Sequence, residues 1–266
     1  MATVMYYEGQ KYTDNTSTVV EDALTVEGAL QIVINGVPFT VTMRTPNNDN
    51  ALIRGLLHSE DVYRQSTPLN IAFEVKNTVM TIAQLQIPRQ FLGNGYKNSR
   101  TLLSVSSCGI CGRTALDDTE LMKNAITDSV ETTVDKIYGL FQQMKTQQHD
   151  FLESGGSHAA AAFSTNGQLL TVMEDIGRHN AVDKVIGNLL LHNTLDQAIG
   201  LLVSGRLSYE IIAKAYHANI PILAAVSAPS SLAVEYAKQL GITLLGFCRG
   251  QKATCYAHPQ RIKEAF

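Results

Sequence analysis

Between Ile199 and Phe247 three short apolar runs, Ile199–Ser204, Ile222–Val226 and Thr243–Phe247, are separated by two segments of helical spacing, Ser208–Ala218 and Ser231–Leu240. Strands that alternate with helices of this length line up as a parallel sheet joined by right-handed crossovers. Upstream, His158–Ser164 and Gln168–Met173 read as a hairpin turning at Asn166-Gly167, with a helix over Gly177–Leu191 after it. The first half is β-rich. Ala29–Asn35 and Val37–Met43 flank Asn35-Gly36, a two-residue hairpin signal, and Ile71–Val75 and Val79–Ala83 form a second hairpin around Lys76-Asn77-Thr78. Between these hairpins, Thr45-Pro46-Asn47-Asn48-Asp49 offers capping side chains to a helix over Asn50–His58. Another helix is expected over Thr133–Met144, after which polar Lys145–Asp150 leads to Gly155-Gly156. The pattern predicts an α/β protein of two units meeting near residues 115–133. Residues 1–125 form a smaller β-rich α+β domain ending in a cysteine loop at about 93–115, and residues 126–266 form a domain with a mostly parallel sheet.

The 266 residues suffice for a substantial core, and a net charge of −3 leaves no basic excess for general nucleic-acid binding. No apolar run approaches the roughly 18 residues that span a bilayer. The stretch Met1–Lys11 has neither the basic nor the apolar part of a signal peptide, and four cysteines do not make a disulfide scaffold, so a cytoplasmic location is expected.

Ligands of open α/β sheets bind at the carboxyl ends of the strands. Those ends carry Ser204-Gly205-Arg206, Ser227-Ala228-Pro229-Ser230-Ser231 and Cys248-Arg249-Gly250-Gln251-Lys252. Each loop alone reads as a turn with a helix cap. Three aligned loops point to a phosphorylated ligand, with Arg206, Arg249 and Lys252 as countercharge. The segment Glu174–Lys184 packs six ionisable side chains around Gly177, and helical spacing pairs Glu174 with Arg178, His179 with Asp183 and Asn180 with Lys184. It is either a solvated helix face or part of the same site.

Cys108 and Cys111 lie in Ser106-Ser107-Cys108-Gly109-Ile110-Cys111-Gly112-Arg113, a stretch whose glycines oppose helix and favour a loop. A zinc knuckle would need a second close pair, and Cys248 and Cys255 are seven apart. His158 and His179 leave a mixed zinc site open without indicating one, so no metal is assigned. A zinc deaminase would carry His-x-Glu before Pro-Cys-x-x-Cys; this chain has His179-Asn180-Ala181 and places its Cys-x-x-Cys earlier. A thioredoxin-like pair would sit at a helix start near the N-terminus. Sulfur carriage remains: an accessible thiol, its pKa lowered by a cation such as Arg113, that becomes a persulfide. Cys248 and Cys255, in or beside an apolar strand, read as packing residues.

These motifs, with Gly155-Gly156-Ser157-His158-Ala159-Ala160-Ala161, Ser204–Glu210, Ser227–Ala233 and Gly246–Gly250, resemble the formate dehydrogenase accessory sulfurtransferases (FdhD/NarQ) over nearly the whole chain. The resemblance implies a cytoplasmic, homodimeric sulfurtransferase. Such a protein takes sulfur from a cysteine desulfurase and passes it to the molybdenum or tungsten bis-pterin guanine dinucleotide cofactor of formate dehydrogenase, that cofactor being bound as substrate. It places the persulfide on Cys108, with Cys111 beside it. Cofactor binding maps to the loop Phe247, Cys248, Arg249, Gly250, Gln251 and Lys252, with Ser204, Gly205, Arg206, Ser227, Ser230 and His179 around a vacated cleft. The second domain is expected to be cytidine-deaminase-like with its zinc ligands replaced. Where the family commonly has Thr-Pro-Gly-Asp-Asp and Gly-Phe-Leu, this chain has Thr45-Pro46-Asn47-Asn48-Asp49 and Gly55-Leu56-Leu57. The alternative is a non-enzymatic chaperone that only binds and delivers the cofactor.

Overall fold

Residues 2–96 and 125–264 are described by the structure, a computed structural model. The chain begins with a two-stranded antiparallel ribbon, β1 (Val4–Thr13) and β2 (Thr16–Thr25), which turns at Asp14-Asn15 with both residues at positive φ. Strands β3 (Gly28–Ile34) and β4 (Val37–Arg44) follow, closed by Asn35 and Gly36 at φ 53° and 79°. This is the mirror-image turn that Asn-Gly favours, because its twist matches that of the strands. Along β3 every second residue is buried, so Leu30, Ile32 and Ile34 form one core face.

Helix α1 (Asp49–Ser59) crosses over this face before β5 (Ile71–Val75) and β6 (Met80–Leu85) complete a sheet of order β4-β3-β6-β5. The expected side-chain cap of α1 is absent. Asn48 occupies the cap position in the left-handed region with no side-chain hydrogen bond, and Asp49 instead makes a two-pronged ion pair with Arg44 at 2.8 and 2.9 Å.

The second sheet has order β13-β12-β11-β10-β8-β9. Its strands are β8 (His158–Ser164), β9 (Leu169–Asp175), β10 (Ala198–Val203), β11 (Ile222–Ala225), β12 (Thr243–Arg249) and β13 (Lys252–Ala257). Only β10, β11 and β12 run parallel, and hairpin strands flank them on both sides. The sheet is therefore mixed rather than mostly parallel, because a hairpin adds its strands antiparallel at an edge. Helices α4 (Arg178–Leu191), α5 (Tyr209–His217) and α6 (Ser231–Leu240) cover one face. Helix α2 (Val134–Thr146), capped by Thr133, covers the other. The short α3 (His149–Ser154) begins at the end of the polar stretch Lys145–Asp150 and runs to Gly155, and Thr132–Thr133 (β7) pairs in parallel with Ile262–Lys263 (β14). Among the described residues no helix is long and apolar enough to cross a membrane.

Helices α1 and α4 meet backbone to backbone. A Cβ on Gly55 would stand 1.9 Å from the Asp183 carbonyl oxygen, and one on Gly187 would stand 1.8 Å from that of Ala51. Only glycine permits this approach, and it locks the first sheet's helix against the second sheet's.

Candidate functional site

A cleft of about 540 Å³ opens on the α2 face of the second sheet, within the range of small-molecule sites. Tyr138, Phe141 and Met144 of α2 form one wall. Its other side is made where β11 and β12 end, by Val226, Cys248, Arg249 and Gly250. The lip is Phe151 with Gly155-Gly156-Ser157, and His158 and Ser204 close the inner end. Apolar side chains with a few convergent polar groups suit a small organic ligand.

Glu174 holds the lip. Its carboxylate accepts the backbone N–H groups of Asp150 and Phe151, each at 2.9 Å, and the Ser157 hydroxyl at 2.6 Å. The acid thus sits at the N-terminus of α3, where free N–H groups favour it.

Beyond His158 lies a second group of side chains, gathered at the N-terminus of α4. A Cβ on Gly205 would stand 3.4 Å from His158 Nδ1 and 3.5 Å from Arg178 Cδ, so both side chains rest against this glycine. Burial holds the His158 pKa below its ordinary value, and the positive charges of Arg178, His179 and Arg206 push the same way. His179 is 6% exposed; its Nε2 lies 3.0 Å from Ser208 Oγ and 2.9 Å from Glu210 Oε2. Its Nδ1 and the Nε of Arg178 are buried with no hydrogen-bond partner among the described residues. Glu210 Oε1, on the carboxylate that contacts His179, is likewise buried without a hydrogen-bond partner among the described residues, so the group holds an unsatisfied acceptor beside the two nitrogens.

The sequence-predicted residues divide between these two places. Ser204, Cys248, Arg249 and Gly250 line the cleft; His179, Gly205 and Arg206 belong with Arg178 and His158. Ser230 caps α6, accepting the Ala233 N–H at 3.2 Å, and the Ser227 carbonyl accepts the Phe247 N–H. Phe247, Gln251 and Lys252 do not line the cleft. The expected loop Phe247–Lys252 is instead a hairpin: Arg249 pairs with Lys252 across Gly250-Gln251, both at φ 58°. Cys248 is buried in the cleft wall, its thiol pushed up to about 11 by desolvation, and Cys255 sits half-buried in β13. Cys108 and Cys111 lie outside the described residues, as does the rest of the segment 97–124.

The helical-spacing pairs within Glu174–Lys184 are not formed. Asp183 takes Lys214 of α5 at 2.7 and 2.8 Å and Ser59 of α1 at 3.0 Å, while Lys184 takes Asp175 at 2.8 Å. None of these partners stands at the helical i,i+4 spacing, and most of the segment is buried rather than solvated. Arg178 falls within Gly177–Asp183, which the resemblance placed around the cleft; the residues that sequence reasoning left out of the site are His158 and the α2 wall. His158 stood within a motif already singled out, whereas nothing in its spacing separates the α2 wall from ordinary core.

The family model described as FdhD/NarQ matches residues 25–263. This chain belongs to the FdhD/NarQ family. Relatives named "Sulfur carrier protein FdhD" include one from Sulfolobus acidocaldarius, 40% identical over 253 residues and covering 95% of this chain and 96% of its own. Another, from Streptomyces coelicolor, is 41% identical over 265 residues, covering 94% and 92% respectively. A crystal structure of a candidate formate dehydrogenase accessory protein from Desulfotalea psychrophila superposes with a TM-score of 0.77. It covers 98% of this chain and 100% of its own at 19% identity, so this likeness speaks to the fold alone. The relatives' name describes those proteins as sulfur carriers.

Proposed function

We propose that this protein is a sulfurtransferase that carries sulfur as a persulfide on Cys108, from a cysteine desulfurase to the molybdenum or tungsten bis-pterin guanine dinucleotide cofactor of formate dehydrogenase. The Cys108 thiolate attacks the outer sulfur of the donor's persulfide; a new S–S bond forms as the donor's S–S bond breaks and its thiolate leaves. The observation that carries the reading is the junction of an apolar cleft with the unsatisfied Arg178–His179 group. A guanine ring suits the cleft, and a diphosphate suits the N-terminus of α4 with Arg178 and Arg206. Arg249 at the hairpin tip stands at the cleft mouth as further countercharge. The element order hairpin, α4, β10, α5, β11, α6, β12 supports a cytidine-deaminase-like second domain. In this reading the protein works as a cytoplasmic homodimer.

Mass spectrometry after incubation with a cysteine desulfurase tests the carrier step. Wild-type protein gains about 32 Da, one sulfur atom on a low-pKa thiol, and Cys108→Ala does not. An adduct on the same segment of the alanine variant overturns the assignment. Maturation of formate dehydrogenase by Cys111→Ala removes Cys111 from the essential residues. Maturation by the double-cysteine variant makes the protein a cofactor-delivering chaperone instead.

A further inference from the structure

The loop between β4 and α1 reaches the second sheet at Thr45, which is fully buried. Two of its polar groups hold the turn that starts α4 and the third holds Lys184 within that helix. The Thr45 N–H donates to Asp175 Oδ2 at 3.2 Å, Thr45 Oγ1 accepts the Ile176 N–H at 3.0 Å, and the Thr45 carbonyl accepts Lys184 Nζ at 3.0 Å. Asp175, 0% exposed at the end of β9, holds the same turn from within. Its Oδ1 accepts the Gly177 N–H at 2.8 Å and Asn180 Nδ2 at 2.9 Å, and its Oδ2 accepts Lys184 Nζ. Asn180 returns to the first sheet, donating to the Met43 carbonyl at 2.7 Å and accepting the Thr42 hydroxyl at 3.2 Å. Pro46 disfavours a helical backbone at Thr45 and so keeps this residue extended toward the turn.

The turn Asp175-Ile176-Gly177 ends where Arg178 and His179 begin. Because α4 is wedged against α1 through Gly55 and Gly187, it has no freedom to absorb a displaced turn by sliding. We infer that Thr45 is a positioning residue of the nucleotide site: by fixing the Ile176 amide it sets the direction in which Arg178 and His179 leave the N-terminus of α4. This gives the first sheet a part in the site besides carrying the cysteine segment. It rests on the proposed function only in taking the ligand to be a nucleotide diphosphate.

The test uses the full chain, with Thr45→Val as the probe, since valine keeps the volume and removes the acceptor of the Ile176 N–H. The first readout needs no ligand: the imidazole resonances of His158 and His179 in the free protein. Both are expected to move in Thr45→Val, to return in Thr45→Ser, and to stay in place in Ser59→Ala, which weakens the same α1–α4 interface by removing the hydrogen bond to Asp183. The second is affinity for guanosine diphosphate, expected to fall about tenfold in Thr45→Val and to recover in Thr45→Ser, as befits a displaced positioning group. Unmoved resonances in Thr45→Val, or equal movement in Ser59→Ala, overturn the inference. Failure of the wild-type protein to bind guanosine diphosphate strikes at the proposed function, and the resonances still decide the role of Thr45. If the valine variant does not fold, Thr45→Ala removes the same acceptor without adding bulk.

Discussion

Helix α4 carries two groups of charged side chains with opposite characters. Toward α1 and α5, Lys184 meets Asp175 and Lys214 meets Asp183, all nearly inaccessible to water and bound further by backbone groups or Ser59. At its first turn, Arg178 and His179 gather with His158 and Arg206, and two of their nitrogens have no partner among the described residues. Burying a charge is costly unless it is paired. The paired group meets that condition from within the chain and fixes geometry. In the other group His179 is paired with Glu210 and Arg206 is exposed, while Arg178 Nε and His179 Nδ1 keep hydrogen-bonding capacity that the proposed diphosphate would use.

The strongest test of this contrast removes one member of a pair. Lys184→Met leaves the Asp175 carboxylate facing a thioether at a position closed to bulk solvent, both side chains being no more than 1% exposed. Burial already pulls the Asp175 pKa upward, and Lys184 is the chief opposing influence. The expected loss is about 3–5 kcal/mol, read from the urea midpoint. A loss below about 1 kcal/mol would mean that the pair is no more than a surface ion pair in effect, and the distinction between the groups would fail.

A steric change at the same interface ranks next. Gly187→Ala places a methyl group 1.8 Å from the Ala51 carbonyl oxygen, a contact that backbone must move to relieve. Overpacking of this kind costs about 1–3 kcal/mol, and the same unfolding measurement reads it.

Acid probes the interface more gently. His58 bonds to the His217 carbonyl oxygen at 3.0 Å, and Arg64 reaches the His217 ring at 2.8 Å. Burial, the larger cause, lowers the His58 pKa to about 4 and the His217 pKa to about 3, from 6.5. The unfolded chain therefore takes up these protons first as pH falls. The stability due to the neutral rings is complete above about pH 6.5 and is lost progressively as pH falls toward 4 and then 3. Denaturant midpoints at pH 7, 5.5 and 4.5 should fall in that order, and His58→Phe should flatten the slope. An unchanged slope would place the titration elsewhere.

How much of this was legible in the sequence follows from the range of the interactions. Asn35-Gly36 announced its turn, and the strand–helix alternation after Ile199 was read nearly residue by residue, because both are local patterns. The ribbon β1–β2 escaped notice because it packs on no core of its own: Tyr6, Tyr12 and Val19 are exposed, so no alternation marks its strands. Its turn at Asp14-Asn15 was the available signal. Strand β13 was missed for a related reason, since Gly250-Gln251 is a less telling turn pair than Asn-Gly. The site was half legible. Glycines and cations at the strand ends located it, but the i,i+4 rule misassigned Glu174, Asp183 and Lys184. Glu174 instead holds Asp150, Phe151 and Ser157, while Asp183 and Lys184 reach Ser59 and Thr45, more than 120 positions away. Spacing along one helix carries no information about such contacts.

The smallest expected effect is the most specific to the group at the first turn of α4. Arg178→Gln removes a cation from among cations, so no buried partner is stranded and stability should stay within about 0.5 kcal/mol of wild type. What changes is His158. Arg178 is the largest electrostatic contributor to its lowered pKa, second only to burial, so the variant's His158 should titrate closer to 6.5 in an NMR pH series. A bound diphosphate should act in the same direction in the wild-type protein, because its negative charge favours the protonated ring. The arginine's loss and the ligand's arrival would thus move one resonance alike while moving affinity oppositely. A His158 titration indifferent to Arg178→Gln would place the arginine outside the group, and the contrast along α4 would reduce to one paired interface and an ordinary helix end.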